Sequence, residues 1–184
     1  MALMTITREH EGYLEDRKSR FLAHLVPVGV FDQRLEALRK AHRKANHIVT
    51  AHRRLLDDDR IEESGKDDGE PAGTSGMPVL RVLQGAELVE CAVLVVRYFG
   101  GIKLGGGGLA RAYSGAAQAA IANAELIPFQ RFAVKEVSAD FAASSELERR
   151  VEQLGLSVIA RDFTEEGVTL TLEGPEEDLA RLDG

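Results

Sequence analysis

Hydrophobic and polar positions change period several times along the chain, and each change marks an element. Residues 4–12 and 19–28 read as strands, the second (SRFLAHLVPV) ending around Pro27. Phe31, Leu35, Leu38 and His42 then recur at helical spacing, which predicts a helix over 32–46 with Asp32 as N-cap. Ile48, Val49 and Thr50 mark a strand over 47–54. Residues 57–77 are polar and glycine-rich, a long loop with room for a hairpin. Ser75 is placed to cap a short helix over 76–83, with Pro78 tolerated in its first turn and Gly85 as its stop. Residues 88–99 form an apolar run without alternation, the pattern of a strand buried on both faces. Eight alanines among residues 109–124 predict the next helix.

Beyond Pro128 the order is strand (132–142), helix (144–155), strand (157–163), strand (167–173), helix (176–182). This βαββα order is one strand short of the βαββαβ ferredoxin-like unit. The expected class is therefore α+β with two domains, 1–130 and 131–184.

Charge changes the picture once it is divided. The net charge is −7. Residues 131–184 hold 13 acidic and 6 basic residues, so the last third carries all of the excess. Elsewhere the charge is segregated. Residues 34–54 carry seven Lys/Arg against Glu36, and residues 57–70 carry eight acids against Arg60 and Lys66. Such segregation creates local fields that a net charge hides. Apolar content of 44% and charged content of 29% fit a globular protein without a membrane span or signal peptide, so the cytoplasm is the expected location. The single cysteine, Cys91, lies in an apolar run and reads as a buried, inert thiol.

Candidate chemistry concentrates in VLVVRYFGGIKLGGGGLARAY, residues 93–113, where six of the 18 glycines fall between Gly100 and Gly108. A strand, a glycine loop and a helix start leave backbone N–H groups free for an anion. Arg97, Lys103 and Arg111 can add charge around Gly105, Gly106, Gly107 and Gly108. The alternative is that the glycines only permit tight packing. The pattern is neither a Walker P-loop nor a GxGxxG turn. Arg39, Lys40, Arg43, Lys44, Arg53 and Arg54 form a second basic set, able to follow a phosphate backbone or simply to face solvent. Asp67, Asp68 and Glu70 admit three readings: Mg²⁺ ligation, acid–base work, or turn-forming and pairing with Arg97 or Arg111. The histidines His42, His47 and His52 do not make a metal site, because His47 and His52 fall on opposite faces of one strand. No nucleophile with a sequence-evident base stands out, and no cofactor is implied.

KSRF (18–21), His47, DDGEPAGTSGMP (67–78) and VVRYFGGIKLGGGGLARAY (95–113) together resemble the IMPACT/YigZ family. Arg97 and Arg111 match basic positions of that motif, whereas Lys103 rests on local reasoning alone. Family members often carry a cysteine where Val49 stands, an aromatic where His52 stands, and Ser or Thr where Lys66 and Gly106 stand. The resemblance implies a first domain with the βα fold of elongation factor G domain IV, also GHMP-kinase-like. It implies a ferredoxin-like second domain similar to domain V of that factor, as in bacterial YigZ-type members. That pairing of folds supports RNA or ribosome contact, and with the loop–helix junction and the segregated basic face it makes a non-catalytic RNA or ribosome binder, acting on translation or its regulation, the leading reading. Two alternatives stand beside it: an enzyme acting on a phosphorylated small molecule through a Mg-assisted carboxylate loop, and a protein-interaction module working through the acidic C-terminal domain.

Overall fold

The computed structural model describes residues 2–183. It is a mixed α+β chain that packs as two compact units, Met1–Phe129 and Gln130–Gly184.

The first unit is built on a five-stranded antiparallel sheet. Its strands are β2 (His10–Asp16), β3 (Ser19–Pro27), β4 (His47–Leu55), β5 (Ile61–Lys66) and β6 (Cys91–Tyr98), in the order β2-β3-β6-β4-β5. A two-stranded pair, β1 (Met4–Thr5) with β7 (Ile127–Pro128), lies outside it. Strand alternation divides the sheet's side chains between two cores. Phe21, Ala23, Leu25, Val49, Ala51, Val93 and Val95 face the helices α2 (Gly76–Gly85) and α3 (Gly105–Ala122). Ile48, Ala92, Leu94 and Val96 face α1 (Phe31–Ala41). β6 lies at the centre of the sheet and is buried along its length up to Tyr98, as its unbroken apolar run requires. Edge strand β2 comes so close to α3 that a Cβ on Gly12 would stand 2.2 Å from the Ala120 nitrogen, so only glycine fits there.

Several boundaries differ from the sequence expectation, each for a local reason. The first strand is broken into β1 and β2, and the β2–β3 turn is made by Arg17 and Lys18, both at positive φ (47° and 67°). α1 starts at Phe31 with Asp32 in its first turn rather than at the cap. It also ends early: His42 leaves helical geometry and its ring meets the Tyr98 hydroxyl at 2.6 Å. Ser75 stands at the start of α2 but makes no capping bond; Asp67, eight residues earlier, receives the Ser75 and Gly76 N–H groups instead. The polar stretch 57–77 does contain the hairpin strand, β5.

α3 begins four residues ahead of the alanine pattern, so Gly105–Gly108 are its first turn and not a loop before it. Gly105 enters at φ +72°, a conformation that favours glycine. The first turn of a helix has no intrahelical partners for its N–H groups in any case, and the alanines behind it carry the helix.

In the second unit β8 (Phe132–Asp140), β9 (Ser157–Phe163) and β10 (Gly167–Pro175) form an antiparallel sheet ordered β8-β10-β9. With α4 (Ser144–Gln153) and α5 (Glu176–Ala180) the described residues follow the βαββα order. Val151, Leu156, Val168, Leu170, Leu172, Leu179 and Leu182 make its core.

Candidate functional site

The site is assembled where the end of β6, the loop 67–75 and the first turn of α3 converge. Arg97 is the last fully buried residue of β6, 5% exposed. Its Nη1 donates to Glu70 Oε1 at 2.5 Å, and its Nη2 reaches Ser19 Oγ at 3.4 Å. Glu70, 8% exposed, also accepts the Tyr113 hydroxyl on Oε1 at 2.7 Å. Tyr113 is fully buried on α3 and stands edge-on to Phe21 at 5.0 Å between ring centroids. Burial, with the Glu70 bond added, pushes its phenol far above the ordinary range, so it remains a donor to the carboxylate. A buried charge pair of this kind is costly to form and still more costly to break, because removing one partner strands the other.

Above this pair lies a cavity of about 410 Å³ lined by Asn46, His47, Glu70, Pro71, Arg97, Phe99, Lys103, Leu104, Gly105, Gly106 and Leu109. Its wall at the start of α3 has no side-chain cap and no acidic residue in the first turn. The first amides of that helix are therefore the donors that anions accept at helix N-termini. Arg97 Nε is buried and has no hydrogen-bond partner among the described residues. Lys103 is exposed and forms no ion pair among the described residues. Phe99, 47% exposed, offers an aromatic face, with the Arg97 guanidinium 5.6 Å from its centroid. Asn46 Oδ1 accepts the Phe99 N–H at 2.9 Å, which leaves its amide nitrogen as a further donor.

The acidic loop is a scaffold. Asp67 receives the N–H groups of Gly73 (2.8 Å), Ser75 (3.2 Å) and Gly76 (2.8 Å). Partial burial raises its pKa, and the three N–H bonds outweigh that to leave it below the ordinary value. Asp68, at φ +49°, caps β4 by receiving the Ile48 N–H at 2.7 Å. The three carboxylates thus point to three separate partners. Among the described residues no group of three or more His, Cys, Asp or Glu is arranged to hold a metal. The loop does meet the glycines: Thr74 Cγ2 lies 3.5 Å from where a Cβ on Gly106 would stand.

Of the residues singled out from the sequence, Arg97, Lys103, Gly105, Gly106 and Glu70 line the one cavity. Gly107 and Gly108 complete the helical turn behind it, Gly108 buried beside Leu104. Arg111 does not line it. It lies beside Gly107 and lines a separate groove between α2 and α3 with Arg81. The second basic set is split. Arg39, Lys40, Arg43, Lys44 and Arg54 are exposed, with Lys40 paired to Glu36 at 2.8 Å. Arg53 is withdrawn from it: only 7% exposed, it donates to Glu63 and to the Leu88 carbonyl, both at 2.9 Å. Strand alternation places it on the α2 side, away from Arg54. Cys91 is buried, its Sγ donating to the Val89 carbonyl, and burial pushes the thiol up to about 11. Ser19 and His47 lie in the sequence motifs, but their partners, and any part for Asn46, were not recognisable from the sequence pattern, since they depend on strand pairing across the sheet.

The sequence signature described as "Impact N-terminal domain" matches residues 17–121. "IMPACT family member YvyE" of Bacillus subtilis is 34% identical over 148 residues, 79% of this chain and 66% of that protein. "IMPACT family member YigZ" of Escherichia coli is 43% identical over 110 residues, 58% of this chain and 54% of that protein. The chain thus spans about half to two thirds of the length of these relatives. A solved structure titled "Crystal structure of an hypothetical protein" superposes with a TM-score of 0.70 at 29% identity, over 99% of this chain and 90% of that one.

Proposed function

The chain belongs to the IMPACT family, and from that premise we propose that it is a non-catalytic RNA- or ribosome-binding protein that holds a phosphate in the cavity at the start of α3. The observation that carries this is a convergence of donors. Uncapped amides around Gly105 and Gly106, exposed Lys103 and the Arg97 side chain all border one cavity. Phosphate contacts supply most of the affinity in such complexes, and an aromatic such as Phe99 supplies a sequence-tolerant platform for a base. Exposed Arg39, Lys40, Arg43, Lys44 and Arg54 offer further backbone contacts. Translation or its regulation is the process we assign, following the implied likeness of the two domains to elongation-factor domains.

The enzyme reading has less support, because Asp67 uses both oxygens and Asp68 its Oδ2 on backbone N–H groups, while Glu70 Oε1 is taken by Arg97 and Tyr113. The acidic second unit remains the surface for a protein partner in the interaction-module reading. Amide chemical-shift mapping during titration with a short RNA tests the proposal. Resonances of Gly105, Gly106 and Lys103 should move together. Shifts confined to the second unit would overturn it.

A further inference from the structure

The cavity contains an acceptor that a phosphate does not use. Glu70 commits Oε1 to Arg97 and Tyr113, while Oε2 faces His47 Nε2 at 3.6 Å, beyond hydrogen-bond reach. The Glu70 side chain is 4% exposed and that of His47 is 23% exposed, and both line the cavity. His47 Nδ1 lies 2.7 Å from the Asp68 carbonyl oxygen, which accepts, so Nδ1 carries the proton. In the neutral ring Nε2 is then an acceptor as well. Glu70 Oε2, an acceptor without a hydrogen bond among the described residues, calls for a hydroxyl donor, and His47 Nε2 stands beside it. The start of α3 presents donors instead: its uncapped first amides and exposed Lys103.

A group that is anionic at one end, carries a hydroxyl beside it, and bears a flat ring matches this division. We propose that the cavity is a ribonucleotide subsite. The phosphate sits on the α3 amides with Lys103. A ribose hydroxyl donates to the Glu70 Oε2–His47 Nε2 pair, and the base lies over Phe99. The volume of about 410 Å³ is within the range of small-ligand sites. The 2′-hydroxyl is the group by which a protein tells RNA from DNA. The inference rests on the phosphate-site reading above and adds sugar discrimination to it.

The test is fluorescence anisotropy with an oligouridylate and its 2′-deoxy counterpart of equal length, at one salt concentration. The wild-type protein should bind the ribo form roughly tenfold more tightly, the scale of one hydrogen bond to a charged acceptor. His47→Ala and Glu70→Gln should each shrink that ratio, whereas Phe99→Ala should weaken both ligands and leave the ratio intact. Thermal melts identify any variant that fails to fold, and the wild-type ratio needs no variant at all. Equal binding of the two oligonucleotides overturns the ribose assignment while leaving phosphate binding in place. So does a ribo preference that survives both His47→Ala and Glu70→Gln. Binding of neither oligonucleotide overturns the phosphate-site reading and this inference with it.

Discussion

At the floor of the cavity Arg97 and Glu70 are 5% and 8% exposed and hold each other at 2.5 Å; at its mouth Phe99 is 47% exposed and Lys103 stands in solvent. Arg97 is only a few residues of chain from Phe99 and Lys103, yet floor and mouth answer to different physics. Floor charges have left water and persist only because each satisfies the other, with Tyr113 and Ser19 completing the network. Charges at the mouth keep their hydration, contribute little to stability, and are available to a ligand. A basic residue matching a family motif can thus serve the fold with most of its donors. Arg97 gives two nitrogens to the protein, and its Nε is buried without a hydrogen-bond partner among the described residues.

Breaking the floor should have the largest effect. Arg97→Met leaves Glu70 as a buried, unpaired carboxylate and is expected to destabilise the protein by about 3–5 kcal/mol in urea unfolding. A loss below about 1 kcal/mol would mean that the pair is not buried as described.

Asp67→Asn comes next. It weakens three N–H bonds to Gly73, Ser75 and Gly76, with an expected cost of about 1–3 kcal/mol. The sign of its pH dependence follows from its lowered pKa. The stabilisation is complete above the ordinary carboxylate range and is lost as pH falls through the lower folded-state value. The Asn variant should therefore lose less stability on acidification than the wild type, measured as Tm against pH.

At the mouth the order of effects inverts. Phe99→Ala should cost about 1–3 kcal/mol of RNA binding through lost stacking, with little change in folding stability. Lys103→Ala should leave stability within about 0.5 kcal/mol of wild type and act on binding alone. If instead the mouth variants unfold the protein, floor and mouth are one structural unit and the distinction fails.

Much of the fold was legible in the sequence because period carries it. The apolar run of β6, the alanines of α3 and the βαββα order of the second unit all follow from side-chain spacing. The boundaries that moved did so through tertiary bonds that spacing does not encode, such as the His42–Tyr98 contact that helps stop α1. In the site, the glycines, Arg97, Lys103 and Glu70 were visible as residue types at a junction. The partition between them was not. That Arg53 is buried and Arg54 exposed depends on strand register, and that Arg111 turns to the α2–α3 groove depends on where α3 begins. His47 takes its place from Asp68, 21 residues away, through a bond no local pattern announces.

The most direct test of the cavity as a phosphate site is the salt dependence of RNA binding by the wild-type protein and Lys103→Ala, with melts run in parallel. A straight decline of log K with log salt is expected, its slope reduced by about one in the variant at unchanged Tm. A binding constant indifferent to salt, or an identical slope in the variant, would contradict the assignment.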